Sequence, residues 1–370
     1  MQYNADSRVV MTLDAGGTNF VFSAIQANNE VVEPLTLPSG VHDLRLCLDT
    51  IVEGFTKVRE SLKTPPVAIS FAFPGPADYR SGIIGDLGNL PCFRGGVALG
   101  PMLEQRFGLP AFINNDGDLF AYGEAIDGFL PYINEKLRVG GSAKQYGNLF
   151  GVTLGTGFGG GIVRKGELYL GDNGAAAEIW DMRAKLHREA FIEEEVSIRA
   201  VQRVYLANSK VNHTETPTPK DIFEYGMGAE GGDQEAARLA YGELGETLGD
   251  ALADAITLLD GLVVIGGGVS AAAPLFLPRL VEEMNGTLET LDGQTIPRME
   301  LKAFNLEDET EMAAFIRGEA REITVPGSDR KVTYDPLKRI GIGLSRLGTS
   351  RAVALGAYAF ALHSLDASGT

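Results

Sequence analysis

Apolar residues dominate three short runs at the start of the chain, RVVMTLD (8–14), NFVFSAIQA (19–27) and VVEPLTL (31–37). The glycine turn AGGT separates the first run from the second. β-Rich runs of this length, bounded by turn residues, predict an antiparallel meander. The chain therefore opens with strands.

The following segments alternate between the periods of helices and buried strands. Apolar residues recur at helical spacing over 42–62, whereas PVAISFAF (66–73) is a continuous apolar run typical of a buried strand. A helix over 98–107, the strand AFIN (111–114) and a helix from Asp116 follow. This alternation predicts an α/β lobe with a mixed sheet.

A second unit repeats the opening pattern of the first. After a polar stretch at 138–147, TLGTGFGGGIV (153–163) has the same order of strand, glycine turn and strand as LDAGGTNFVFSAI (13–25), which indicates a weak internal duplication. LVVIGGGVS (262–270) is a further strand that runs into a triple-glycine turn. The pattern predicts three more helices, over 233–260, 271–284 and 350–365. Residues 286–348 are charge-rich and less regular.

Composition limits the function classes. A chain of 370 residues is expected to form two or three domains. The net charge of −17 disfavours a nucleic-acid partner, and it requires any nucleotide site to depend on local amides and a metal ion. Cys47 and Cys92 give neither a disulfide framework nor metal-ligand spacing. The sequence shows no signal peptide and no membrane span, so a cytoplasmic location and no membrane partner are expected.

Three glycine-rich turns each follow an apolar strand. They are Asp14–Thr18, Gly155–Gly157 and Gly266–Gly268. Glycine at such a place lets backbone amides converge on an anion, and the hydroxyls of Thr18 and Thr156 add donors. Any one of these turns alone is better explained as a tight hairpin, but three at successive strand ends favour phosphate binding. Asp14 could hold a hydrated Mg²⁺.

Asn114, Asn115 and Asp116 come at the carboxyl end of a predicted strand, where open α/β sheets bind ligands. An Asn-Asp pair at a strand-to-helix junction is also an ordinary helix N-cap. Beside a phosphate site, however, Asp116 has the chemistry that phosphoryl transfer needs, because a carboxylate can orient a hydroxyl and accept its proton.

With these motifs in this order, the chain resembles the sugar kinases of the ROK family, within the actin-like ATPase superfamily. LDAGGTNF and GVTLGTGFGGGIV resemble the two phosphate motifs, INNDGDLFAYGE the catalytic motif, and LVVIGGGVS the adenosine motif. PGPAD, Gly82 and GNLP (88–91) resemble the sugar-side loops, and GAAAEI resembles the segment with a sugar-binding Glu.

The resemblance implies an α/β, two-lobed actin-like ATPase fold, related to ribonuclease H, with duplicated mixed sheets flanked by helices and an active-site cleft between the lobes. It divides the chain into an N-terminal lobe, 1–125 plus a C-terminal helix at 350–370, and a larger lobe at 126–349. In this division, residues 286–348 are an insertion in the larger lobe.

The resemblance also implies roles for individual residues. Asp116 would be the general base, and ATP and Mg²⁺ would be the cofactors, with Asp14 on the metal through water. The sugar side would consist of Gly75, Asn89, Asn115, Glu178 and Glu193. The ATP phosphates and adenosine would be bound by Gly16, Gly17, Thr18, Asn19, Thr156, Gly157, Gly267 and Gly268. Asn and Glu suit a polyol because each hydroxyl both donates and accepts.

The sequence departs from the family at the zinc motif that many members carry after the sugar-binding Glu. Ile179 and Trp180 follow Glu178 where a His is expected two residues on. The three cysteine positions fall on Ala184, Leu186 and Phe191. No zinc site is therefore expected, and apolar packing of Trp180, Leu186 and Phe191 is expected to replace the metal.

The leading hypothesis is an ATP-dependent hexokinase of glucokinase type that acts on a hexose or hexosamine. An N-acetylhexosamine kinase or a fructokinase is the nearest alternative. A ROK-type regulator that senses sugar without catalysis belongs to a different class, and the DNA-binding form of it is disfavoured by the acidic charge and by a first strand that starts near Arg8. The family resemblance also suggests a homodimer.

Overall fold

The structure is a computed structural model that describes residues 3–75, 77–87 and 92–369. The chain divides into two compact units. The first comprises Met1–Pro131, Gly161–Ala177 and Arg346–Thr370, and the second comprises Tyr132–Gly160 and Glu178–Ser345. Elements are numbered along the chain.

The first unit is built on a mixed sheet with the strand order β3-β2-β1-β5-β8, and β4 pairs with the outer edge of β2. Strand β2 is antiparallel to β1, whereas β1, β5 and β8 are mutually parallel. The bounds are β1 (Val9–Ala15), β2 (Asn19–Gln26), β3 (Asn29–Glu30), β4 (Leu35–Pro38), β5 (Pro66–Ala72) and β8 (Ala111–Asn114), with a separate ribbon of β6 (Ala77–Asp78) and β7 (Ile83–Ile84).

Helices cover both faces of this sheet. They are α1 (Leu44–Ser61), α2 (Leu99–Phe107), α3 (Asp116–Ile126) and α10 (Thr349–Ser368). Helix α1 packs on one face through an aromatic cluster in which the rings of Phe22 and Phe55 meet edge to face at 5.2 Å. Helix α10 packs on the other face. A Cβ on Gly123 or Gly356 would overlap backbone of the facing helix, so these glycines allow α3 and α10 to cross in close contact.

The segment 161–177 belongs to the first unit, whereas the sequence-based division assigned it to the second lobe. Gly161 explains the difference, because a Cβ at this position would meet Cα of Asp118 at 2.8 Å. The absence of a side chain lets the strand approach the first turn of α3. The segment also holds β11 (Glu167–Leu168), which pairs with Val163 and Arg164.

The second unit is built on a sheet with the order β10-β9-β12-β18-β15, in which β9, β12, β18 and β15 are parallel. The bounds are β9 (Asn148–Leu154), β10 (Phe158–Arg164), β12 (Leu262–Gly266), β15 (Lys302–Asn305) and β18 (Arg339–Leu344). Strand β10 begins in this unit and ends in the first. The helices are α4 (Phe129–Val139), whose first three residues belong to the first unit, α5 (Ile198–Asn208), α6 (Pro219–Gly226), α7 (Gln234–Leu259), α8 (Ala273–Met284) and α9 (Glu309–Arg317).

The charge-rich segment 286–348 is more regular than the sequence suggested. It supplies β15 and β18 to the main sheet of the second unit. Only its two hairpins stand apart from that sheet: β13 (Thr287–Glu289) with β14 (Thr295–Pro297), and β16 (Arg321–Thr324) with β17 (Lys331–Tyr334). Short strands separated by charged hairpins dilute the apolar pattern, which explains why the segment was difficult to interpret from sequence.

Candidate active site

Parallel strands bring three of the predicted motifs to one edge of the first unit's sheet. Asp14 is near the end of β1, Gly75 follows β5, and Asn115 and Asp116 follow β8. Ala72 pairs with Asn114, so the last residues of β5 and β8 are in register. The carboxyl ends of parallel strands share an edge, and this is where such sheets bind ligands.

The first glycine turn is held from the side by Ser39. The hydroxyl of Ser39 donates to the carbonyl of Gly17 at 2.8 Å, and its backbone N–H donates to the carbonyl of Thr18 at 2.9 Å. A Cβ on Gly16 would lie 2.8 Å from the carbonyl oxygen of Asn19, so the turn requires glycine there. Ser39 lies outside every motif, and its distance along the chain kept it out of the sequence prediction.

Asn115 is the N-cap of α3, and its side-chain oxygen accepts from the N–H of Gly117 at 2.7 Å. The capping interpretation of the Asn-Asp pair is therefore right for Asn115. Asp116 is the first residue of the helix, and its Oδ1 also accepts from Gly117 N–H, at 2.9 Å. Negative charge is stabilised at a helix N-terminus.

Asp116 as a whole residue is exposed to solvent. The protein atoms around it nevertheless desolvate the charged form, and this raises the pKa of Asp116 above the ordinary aspartate value, with a further rise from the charge of Asp14. Asp14 and Asp116 are thus close enough to repel one another. The arrangement places two exposed carboxylates, Asp14 and Asp116, at one edge of the sheet.

Gly75 is packed under a tyrosine, since a Cβ there would lie 2.9 Å from the hydroxyl oxygen of Tyr79. That hydroxyl donates to the carbonyl of Phe73 at 3.0 Å and so fixes the loop after β5. Asn89, the other predicted sugar-side residue of these loops, lies outside the described residues.

The second and third glycine turns lie side by side within the second unit. Gly266 pairs with Thr153, and a Cβ on Gly267 would overlap the backbone of Leu154, the last residue of β9. Gly267 also has φ +85°, a conformation that L-residues rarely adopt. Gly268 faces open space and is exposed. Backbone thus approaches backbone at Gly267, while Gly268 leaves room for a ligand.

Glu193 reaches the second turn from a distant part of the chain. Its Oε2 accepts from the N–H of Phe158 at 3.0 Å and would lie 2.8 Å from a Cβ on Gly157. Arg199 pairs with Oε1 of Glu193 at 3.3 Å and donates to the carbonyl of Thr156 at 3.2 Å. The predicted sugar ligand and the predicted phosphate turn are therefore in contact. Arg199 was missed because it lies outside the motifs that the sequence comparison used.

Glu178 is exposed and accepts a hydrogen bond from the indole N–H of Trp180. The Trp180 ring meets Phe191 edge to face at 5.8 Å. Trp180, Leu186 and Phe191 are nevertheless 38%, 45% and 38% exposed. The contact between Trp180 and Phe191 therefore accounts for only part of what holds the segment, because side chains this exposed bury little area.

Within the described ranges, no group of three or more His, Cys, Asp and Glu side chains is arranged to hold a metal ion. Likewise, none of the described helices has the length and hydropathy to cross a membrane.

The ROK family description matches residues 10–313 of the chain. A crystal structure of glucokinase from Parabacteroides distasonis is 56% identical, with a TM-score of 0.89, and the match covers 98% of this chain and 99% of that one. Glucokinase of Thermotoga maritima is 26% identical over 74% of this chain and 86% of its own. An N-acetyl-D-glucosamine kinase of Vibrio atlanticus is 33% identical, but the match spans 47% of this chain and 52% of its own.

These likenesses confirm the predicted class, an α/β protein with the actin-like ATPase fold of the ROK sugar kinases. The chain belongs to the ROK family. Within that family it is a glucokinase-like sugar kinase, and therefore a phosphotransferase.

Proposed function

We propose that this chain transfers the γ-phosphoryl group of MgATP to a hydroxyl of a hexose, with Asp116 as the general base. The proton of the hydroxyl passes to the Asp116 carboxylate while its oxygen bonds to the γ-phosphorus. The bond between that phosphorus and the bridging oxygen of ADP breaks. The observation that carries this proposal is the position of Asp116 at the shared edge of β1, β5 and β8, with Asp14 nearby.

The raised pKa of Asp116 supports the role of base, because a base works best when its pKa approaches the operating pH. Its exposure allows a substrate hydroxyl to reach it. Asn115, whose oxygen caps α3, would present its amide group to the sugar. Gly75, Asn89, Glu178 and Glu193 would complete the sugar side.

The glycine turns would bind the nucleotide. Gly16, Gly17, Thr18 and Asn19 in the first unit, and Thr156 and Gly157 in the second, would donate to the phosphates through backbone amides and hydroxyls. Gly267 and the exposed Gly268 would lie against adenosine. Asp14, an exposed carboxylate beside Asp116, fits a hydrated Mg²⁺, which would neutralise phosphate charge during transfer.

A glucose-type hexose is the first candidate substrate, because the 56%-identical relative is a glucokinase and is matched over nearly its whole length. An N-acetylhexosamine is the second candidate, because a relative that is 33% identical across 47% of this chain is an N-acetyl-D-glucosamine kinase. Fructose, and sugar binding without catalysis, are the remaining hypotheses.

A coupled ADP-release assay over hexoses and N-acetylhexosamines tests the proposal. We expect one sugar to stimulate ADP release far above the rate without sugar, and this stimulation to require Mg²⁺. If no sugar stimulates ADP release, the kinase proposal is wrong. If a sugar binds by calorimetry but is not phosphorylated, the chain is a sensor.

The homodimer and the cytoplasmic location stay predictions. Light scattering after size-exclusion chromatography measures the mass of the particle, and a mass near twice 39.5 kDa is expected.

A further inference from the structure

A buried carboxylate binds the tip of the loop that joins Glu178 to Glu193. Glu195 is 5% exposed and accepts from three successive backbone N–H groups. These belong to Lys185 at 3.1 Å, Leu186 at 3.2 Å and His187 at 2.6 Å. The ring Nδ1 of His187 lies 2.8 Å from the same carboxylate. Glu195 belongs to none of the motifs of the sequence analysis.

The loop under this carboxylate is a narrow hairpin-like structure. Ile192 N–H donates to the carbonyl of Met182 at 2.7 Å, and Ala184 N–H donates to that of Ala190 at 3.0 Å. These bonds leave the N–H groups of the tip to be satisfied from elsewhere, and Glu195 satisfies three of them. A buried carboxylate is costly unless hydrogen bonds compensate for its lost hydration, so Glu195 and the N–H groups of the tip stabilise one another.

Glu195 lies on the same short turn as Glu193. A 3₁₀ helix over Ile192–Glu194 ends at Glu195, whose N–H donates to the carbonyl of Ile192 at 2.9 Å. At the other end of the loop, Trp180 donates to Glu178 and meets Phe191 edge to face. One carboxylate therefore connects the turn that carries Glu193 to the tip of the loop that begins at Glu178.

The tip is also anchored to the body of the second unit. Lys185 Nζ pairs with Glu246 of α7 at 2.9 Å and with Glu283 of α8 at 2.7 Å. Burial opposes the charge of Lys185, but both ion pairs favour it and on balance the pKa of Lys185 is raised. The loop is thus fixed at its tip by charges from three directions: Glu195, α7 and α8.

We propose that Glu195 is a positioning residue that holds Glu178 and Glu193 in the geometry for sugar binding. In this chain, hydrogen bonds and ion pairs hold the loop that joins those two residues. The inference rests on the proposed function for the sugar-binding role of those two residues. The part that concerns the loop stands on the contacts of Glu195 alone.

Amide hydrogen exchange resolved at Lys185, Leu186 and His187 tests the loop without any need for activity. The variants are Glu195→Gln, which keeps the size but removes the charge, and Glu189→Gln as a matched control on an exposed acid of the same loop. We expect exchange at the three amides to be faster by about tenfold or more in Glu195→Gln, and unchanged in Glu189→Gln. Equal exchange in wild type and Glu195→Gln overturns the inference.

Trp180 is the only tryptophan of the chain, so its fluorescence reports on the same loop. Glu195→Gln should alter its emission and increase its quenching by acrylamide, because its contact with Phe191 depends on the loop conformation. Glu195→Asp retains the charge and should restore part of the wild-type exchange and emission. If Glu195→Gln does not fold, Glu195→Asp is compared with wild type instead: its side chain is one methylene too short to reach all three N–H groups, so exchange equal to wild type at all three overturns the inference.

A split between kinetic constants tests positioning against general destabilisation. On the sugar that wild type phosphorylates, Glu195→Gln should raise the sugar KM by about tenfold or more, with the ATP KM and kcat each changed by less than about threefold. If the sugar KM and the ATP KM rise and kcat falls by the same factor, the positioning role is overturned. A wild-type chain that phosphorylates no sugar overturns the proposed function instead, and the exchange result at 185–187 still decides the role of Glu195 in the loop.

Discussion

The first glycine turn of each unit lies beside a carboxylate, but the two carboxylates come from different parts of the chain. In the first unit, Asp14 precedes the turn on the same strand, and the carbonyls of the turn are bound by Ser39. In the second unit, the carboxylate at the turn is Glu193, which is 35 residues from Phe158 along the chain. Similar turns thus have a local carboxylate in one unit and a distant one in the other.

In a duplicated motif, the local hairpin is predictable from sequence, whereas a side chain from a distant loop is not. The strand–turn–strand pattern predicts both hairpins because it depends only on local residues. A carboxylate brought in by a loop depends on what holds that loop, and here its surroundings include Arg199 and the Glu195-bound tip. Substitutions outside the motif should therefore affect the second glycine turn more than the first.

The largest expected effect concerns the first unit alone. Asp116→Asn should lower kcat by about 10²–10⁴-fold, because the variant cannot accept the proton of the sugar hydroxyl. Sugar binding should persist, since an amide still forms hydrogen bonds. ADP release measures kcat and calorimetry measures sugar affinity. An unchanged kcat would remove Asp116 from the role of base.

The next effect concerns the fold around the second turn. Gly267→Ala should lower the free energy of unfolding by about 3 kcal/mol, because φ +85° strains an L-residue and the Cβ overlaps Leu154. Gly268→Ala is the matched control, since its Cβ meets open space. Urea unfolding followed by circular dichroism measures both. Equal midpoints for the two variants would contradict the close approach of β9 to the third turn.

A smaller effect is expected at Glu193, the carboxylate that reaches the second turn from a distant part of the chain. Glu193→Gln removes the charge that faces Arg199, and the sugar KM should rise by about tenfold, equivalent to about 1.4 kcal/mol. The measurement is the sugar KM at saturating ATP. Glu194→Gln is the control, because Glu194 also pairs with Arg199 but has no predicted contact with sugar. A similar rise in Glu194→Gln would attribute the effect to Arg199 rather than to Glu193.

The smallest expected effect is a shift in the pH dependence of activity, which arises from the interaction of Asp14 with Asp116 in the first unit. Only the ionised form of Asp116 can accept a proton, so kcat/KM should fall as the pH falls through its pKa. Because that pKa is raised, this acid limb should lie above the ordinary aspartate value of about 3.9. Asp14→Asn removes the repelling charge and should move the limb of the residual activity to lower pH. A limb at the same pH in both proteins would contradict the coupling of the two carboxylates.

Several elements were predictable because their signals are local. Helix α7 was predicted over 233–260 and spans Gln234–Leu259, since its apolar period is long and uninterrupted. The strand before Asp116 was predicted at 111–114 and observed as Ala111–Asn114. The charge-rich segment was harder, because β15 and β18 join the sheet only through pairing with distant strands.

The sequence predicts the order of strands, glycine turns and helices, and with it the family, because these signals depend on residue type and spacing. It also predicts a role for Asp116, since a carboxylate at a strand end beside predicted phosphate turns has the chemistry of a general base. The tertiary structure decided which of the acids at 189–195 is solvated and which binds the loop. Glu189 is exposed while Glu195 is buried under three N–H groups. Burial and hydrogen bonding depend on the backbone that packs around a residue. A run of acidic residues in the sequence therefore does not reveal which of them is buried.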